Sequence, residues 1–135
     1  MKTIGAILEF TRQRNSDIMR VFRHHLNSEP HIFLPRILFL VSQSPASRFY
    51  VSEERAAIVI SAIIAGRPLP PMRENKKEMF AEILRRYLEI KDSRPGESLA
   101  NIVAEIVNQP APRFYLTPRT IGTIINRINN GFYDP

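Results

Sequence analysis

Residues 44–66 read SPASRFYVSEERAAIVISAIIAG, and residues 109–131 read QPAPRFYLTPRTIGTIINRINNG. An offset of 65 residues places Pro45 on Pro110, Arg48-Phe49-Tyr50 on Arg113-Phe114-Tyr115 and Gly66 on Gly131. Upstream the register holds without a gap: LPRILFLVSQ (34–43) faces LANIVAEIVN (99–108), and SDIMRVFRHHLNSEP (16–30) faces AEILRRYLEIKDSRP (81–95). Self-similarity over about 50 residues in one register reads as duplication. The segments so defined are 17–66 and 82–131, preceded by an N-terminal helical extension (1–16), joined by a linker that includes the start of the next helix (67–81), and followed by a tail (132–135).

Each segment has the apolar spacing of three helices. Ile18, Met19, Phe22 and Leu26 form one helical face, as do Ile83, Leu84, Tyr87 and Leu88. Leu34, Ile37, Leu38 and Val41 keep the i, i+3, i+4, i+7 rhythm of a buried stripe, repeated by Leu99, Ile102, Val103 and Ile106. A third helix carries Ala56, Val59, Ile60 and Ile63, matched by Ile121, Ile124, Ile125 and Ile128. Ser52 stands at its N-cap in the first segment and Thr117, followed by Pro118, in the second. The glycines at 66 and 131 suit a left-handed C-cap. The expected fold is all-α, a tandem repeat of two three-helix, helix-turn-helix-like units packed as one compact domain, because about 50 residues alone bury too little surface.

The chain has 135 residues, 44% hydrophobic and 24% charged, a composition ordinary for a globular protein. No cysteine is present, so disulfides and thiolate chemistry are excluded. The apolar run near the start is too short for a signal peptide or membrane span, which makes no membrane association and a cytoplasmic location the expectation. The formal charge is +6, and between residues 106 and 133 Arg113, Arg119 and Arg127 stand without a single acid. An excess of this kind attracts polyanions and also serves solubility.

The segments differ where function is to be sought. Phe33, Leu40, Ile58, Ala62, Ile64 and Ala65 are replaced by Ser98, Glu105, Thr123, Arg127, Asn129 and Asn130. The third helix of the first segment, apolar on nearly every face, is expected between the copies, or at a homodimer or protein-partner interface. Its counterpart keeps a polar face. The layout resembles tri-helical helix-turn-helix domains, whose last helix enters the major groove. That resemblance implies that Arg119, Thr120, Thr123, Asn126 and Arg127 face the groove, and arginine and asparagine are suited to guanine and adenine. The connection between helices two and three, about eight residues, is longer than the three or four of that motif.

Arg48 and Arg113 recur with aromatic neighbours. Phe49, Tyr50, Phe114 and Tyr115 read as anchors plugging helix three against helix two, and alternatively as stacking surfaces with the arginines as phosphate clamps. The Pro-Ala-Pro-Arg-Phe-Tyr segment resembles one recurring in small uncharacterised bacterial and phage reading frames, a likeness that carries no activity with it. Arg20 and Arg85, at equivalent positions of the two first helices, are further candidates for phosphate contact. His24, His25 and His31 have no ligand set around them, so no metal is expected, nor any cofactor. No catalytic motif occurs, and no enzyme is expected. The sequence thus points to a small basic nucleic-acid-binding protein of regulatory or mobile-element type, most simply DNA-binding. The alternative is a protein-interaction or phage assembly module that does not touch nucleic acid.

Overall fold

A computed structural model of the chain describes residues 4–133. Among these, six α-helices and one short 3-10 turn are joined by loops: α1 (Ile4–Ser28), α2 (Leu34–Ser42), α3 (Glu53–Ala65), α4 (Glu74–Ile90), α5 (Leu99–Val107) and α6 (Pro118–Asn129), with the turn at Lys91–Ser93. Of the extension expected over 1–16, residues 1–3 lie outside the described residues, and 4–16 are continuous with the helix expected after residue 17, as α1. Ser52 caps α3 by accepting from the Arg55 amide at 3.0 Å, and Thr117 caps α6 by accepting from the Thr120 amide at 3.1 Å. Ser98 does the same for α5 toward Asn101, whereas the aligned Phe33 offers α2 no capping side chain. Gly66 ends α3 at φ 70°, the left-handed conformation that glycine adopts without steric cost.

The helices group into two compact units whose boundaries do not follow the aligned segments. The first unit comprises residues 1–46 and 112–135, and the second comprises residues 47–111. In the first unit α1, α2 and α6 pack against one another; in the second, α3 packs against α4 and α5, and α4 against α5. Each unit therefore takes its third helix from the other segment. The physical basis lies in the repeated pattern itself. Two third helices bearing equivalent apolar stripes fit either pair of partners, and a connection of about eight residues gives enough reach for the exchange.

The buried residues of the first unit include Ile18 and Val21 on α1, Ile37 and Val41 on α2, and Ile121, Ile124 and Ile125 on α6. Those of the second include Val59 and Ile60 on α3, Met79, Phe80 and Ile83 on α4, and Ile102, Val103 and Ile106 on α5. Two apolar assignments need correction. Leu34 is 52% exposed and Leu88 48% exposed, so each stripe is covered only along part of its length. On α3, Ile58 is 60% and Ile64 51% exposed. The cause is stoichiometric: α3 has only α4 and α5 to lie against in its unit, and two neighbours cannot cover a helix that is apolar on every face.

The surface of α4 carries an ionic network. Glu82 accepts from Arg85 at 2.8 Å and from Arg86 at 2.9 Å, and Arg85 also bonds Glu89 at 2.6 Å. The hydrogen bond from Arg85, with help from Arg86, pulls the Glu82 carboxyl down to about 2 against the opposing effect of its partial burial. A depressed carboxylate contributes stability above its unfolded pKa and loses it as pH falls through the folded one. The melting temperature is therefore expected to fall between about pH 4.5 and about pH 2. In Glu82→Gln, part of that fall should be missing while the neutral-pH midpoint drops only slightly. Identical acid profiles for both proteins would show that the network carries no linkage.

Candidate nucleic-acid interface

Net positive charge concentrates on the first unit. It contains nine Lys and Arg against four acids, while the second contains ten against nine, so five of the six net positive charges belong to the first. Ion pairs occur in both units. In the second unit Arg85, Arg86 and Arg94 are all held by glutamates. In the first, Arg20 bonds the buried Asp17 at 2.5 Å and Arg36 bonds Glu29 at 3.2 Å. Exposed Arg12, Arg23, Arg119 and Arg127 have no acid partner among the described residues.

Helix α6 supplies the ordered part of this surface. Its N-terminus is fixed by the Thr117 cap and by Pro118, whose missing N–H costs nothing in the first turn. Ile121, Ile124 and Ile125 turn inward, which leaves Arg119, Thr123, Asn126 and Arg127 exposed. The Thr123 hydroxyl donates to the Arg119 carbonyl at 3.1 Å, and the Arg127 guanidinium lies 4.7 Å from the ring centroid of Phe132. Arg119, Thr123 and Asn126 follow i, i+4, i+7 spacing and share one face, which Asn129 extends to about 15 Å of helix at 1.5 Å per residue.

Beside that face runs a groove of about 450 Å³ between α2 and α6. Phe22, Leu34, Leu38 and Ile125 give it apolar walls, and Arg119, Thr123, Asn126 and Asn129 contribute polar groups. Gly122 explains the closeness of the two helices there, because a Cβ at this position would lie 3.0 Å from Leu38 Cδ1. The groove is invisible to sequence reasoning, since α2 and α6 belong to different segments. A glycine inside an otherwise regular helix was the one available sign of a close approach.

The remaining candidates separate from this face. Thr120 is only half exposed, and its hydroxyl accepts from Thr117 at 3.0 Å, so it belongs to the cap and not to the exposed row. Arg20 and Arg85 are engaged by acids within their own helices, as described above. Arg48 is half-buried in the second unit, where it donates to the Phe49 carbonyl at 3.0 Å and to the Val51 carbonyl at 3.1 Å. Burial pushes its pKa below the usual arginine value against smaller raising effects of Tyr50 and Glu53. Arg113, in the first unit, lies 4.8 Å from the ring centroid of Tyr115.

The anchor reading of the aromatics needs a change of partner. Phe49 is 1% exposed; its N–H donates to the Val107 carbonyl at the end of α5 at 3.0 Å, and Arg86 of α4 sits 4.9 Å over its ring. It therefore fixes α3 to helices of the other segment, because the chain enters the second unit at residue 47. Phe114 and Tyr115 are buried as well. Tyr115 adopts φ 59°, a left-handed conformation that costs a side-chain-bearing residue about 1–2 kcal/mol. His25, the best placed of the histidines, bonds Ser44 Oγ at 2.8 Å, and no group of three metal-binding side chains occurs among the described residues.

Compared with protein-family models, with curated proteins and with solved structures, the chain matches none. No described helix is long and apolar enough to cross a membrane.

Proposed function

We propose that the chain is a non-enzymatic nucleic-acid-binding protein of regulatory or mobile-element type that engages DNA through the exposed face of α6. The observation that carries this reading is the uncompensated charge of the first unit, which coincides with a helix whose exposed residues are Arg119, Thr123, Asn126 and Arg127. Arg119 and Asn126 have the donor and acceptor groups that pair with guanine and adenine edges. Arg12 and Arg23, eleven positions apart on α1, share a helical face and supply phosphate contacts. The same reading takes the chain as a duplicated three-helix unit whose copies diverged, the second unit keeping nearly balanced charge. Connectivity differs from ordinary helix-turn-helix domains, since α2 is followed in the chain by α3 and not by α6.

A salt titration tests it. Binding to a mixed-sequence duplex, followed by fluorescence anisotropy, is expected to weaken linearly in log affinity against log salt, by about 0.9 for each phosphate neutralised. Absence of binding to duplex or single-stranded DNA or RNA at about 50 mM salt contradicts the proposal. A second reading, a protein-interaction module, is favoured by the apolar side chains exposed at Ile32, Phe33, Ile58 and Ile64. On that reading the partner, including a second copy of the chain, covers α3.

A further inference from the structure

The segment between α3 and α4 reads in sequence as a mere connector, yet its residues build one wall of a pocket within the second unit. Pro70, Pro71, Met72 and Arg73 line it on one side. Arg55 from the first turn of α3 and Lys76 from the first turn of α4 line it as well, and no acidic side chain does. Its volume is about 370 Å³, within the range that small-ligand sites occupy.

Three cations therefore share one cavity. Arg55, Arg73 and Lys76 are exposed, and none forms an ion pair among the described residues, in a unit where Arg85, Arg86 and Arg94 are all paired with acids. Three cations without ion pairs around a concavity that no acidic side chain lines are arranged for an anion. The surroundings sharpen its chemistry. α4 begins at Arg73 with no capping side chain, and its first turn also carries Glu74, which does not line the pocket. Tyr50, with Met72, Met79 and Phe80, gives the rest of the cavity an aromatic and thioether lining. Such a lining suits a flat ring. A doubly charged head joined to a flat, weakly polar body describes a nucleotide.

We propose that this pocket is a nucleoside-monophosphate site, in which Arg55, Arg73 and Lys76 hold the phosphate while Tyr50 and Met72 support the base. The phosphorylated nucleoside comes either free or as the 5′ end of a strand. The site lies wholly in the second unit and does not depend on the α6 interface.

The test uses the full chain, with ¹³C-labelled methionine methyl groups as reporters. Adenosine 5′-monophosphate, adenosine, inorganic phosphate and an oligonucleotide with or without a 5′-phosphate are titrated in turn. Saturable shifts of the Met72 and Met79 methyls are expected with the monophosphate, the phosphorylated strand, or both, and weaker ones with adenosine or phosphate alone. Response to the free monophosphate assigns a free nucleotide; response only to the phosphorylated strand assigns a strand end. Arg55→Gln with Lys76→Gln should weaken binding about 10-fold or more without moving the melting midpoint. Arg94→Gln, whose charge is already paired, and Arg119→Ala with Arg127→Ala should leave mononucleotide binding unchanged. No saturation by about 5 mM with either phosphorylated probe overturns the proposal. So does equal weakening by Arg94→Gln.

Discussion

Phe49→Ala is expected to destabilise the protein by about 3–5 kcal/mol, the cost of emptying a fully packed aromatic site. Phe49 is 1% exposed, its ring is capped by Arg86, and Arg48 stitches the turn around it through two carbonyls. Truncation removes the ring but leaves the hydrogen bond from the Phe49 N–H to the Val107 carbonyl, so the loss reports packing more than backbone hydrogen bonding. Against a typical total stability of about 5–15 kcal/mol, such a loss is large enough to shift a urea midpoint unmistakably. Phe114→Ala, at a site 4% exposed, should behave similarly. Were Arg-Phe-Tyr a stacking surface for bases, Phe49→Ala would lower nucleic-acid affinity and leave the urea midpoint in place.

Helix existence and capping were legible because both are local. The period of Ile121, Ile124 and Ile125 predicts the buried side of α6, and Ser52 and Thr117 announce the helix starts that the structure shows. What covers a stripe is not local. Leu34 and Leu88 sit on correctly spaced faces and remain half exposed, because spacing defines a face without defining a neighbour. The exchange of α3 and α6 was illegible for the same reason: equivalent stripes cannot say which pair of helices each will meet. At the candidate site, the exposed α6 residues were readable from the stripe they avoid. Arg20 and Arg85 are ion-paired within their own helices, which their sequence neighbours foreshadow. Asp17 and Glu82 stand three residues before them, and Glu89 stands four after Arg85, the spacings at which helical side chains pair.

Replacing both Arg119 and Arg127 by alanine should lower duplex affinity by about 100-fold, if each contributes about 1–3 kcal/mol to a base edge or a phosphate. The slope of log affinity against log salt should also become shallower, by about one for each of the two that contacts phosphate. Both side chains are exposed on a helix whose inward residues are untouched, so the melting midpoint should move little. The matched control is Arg85→Ala with Arg94→Ala, which removes the same formal charge from the second unit, where both arginines are held by glutamates. A general attraction to a basic protein would make the two double variants equal. A dedicated α6 interface makes the first far weaker than the second.

The most direct test is an amide NMR titration of the full chain with a short DNA duplex, which reports the location of contact residue by residue. The account predicts that shift changes concentrate on residues 117–129, with further changes near Arg12 and Arg23, and that residues 53–65 and 81–107 stay near their free positions. Changes centred on α3, or a spectrum that DNA leaves untouched at low salt, would contradict it.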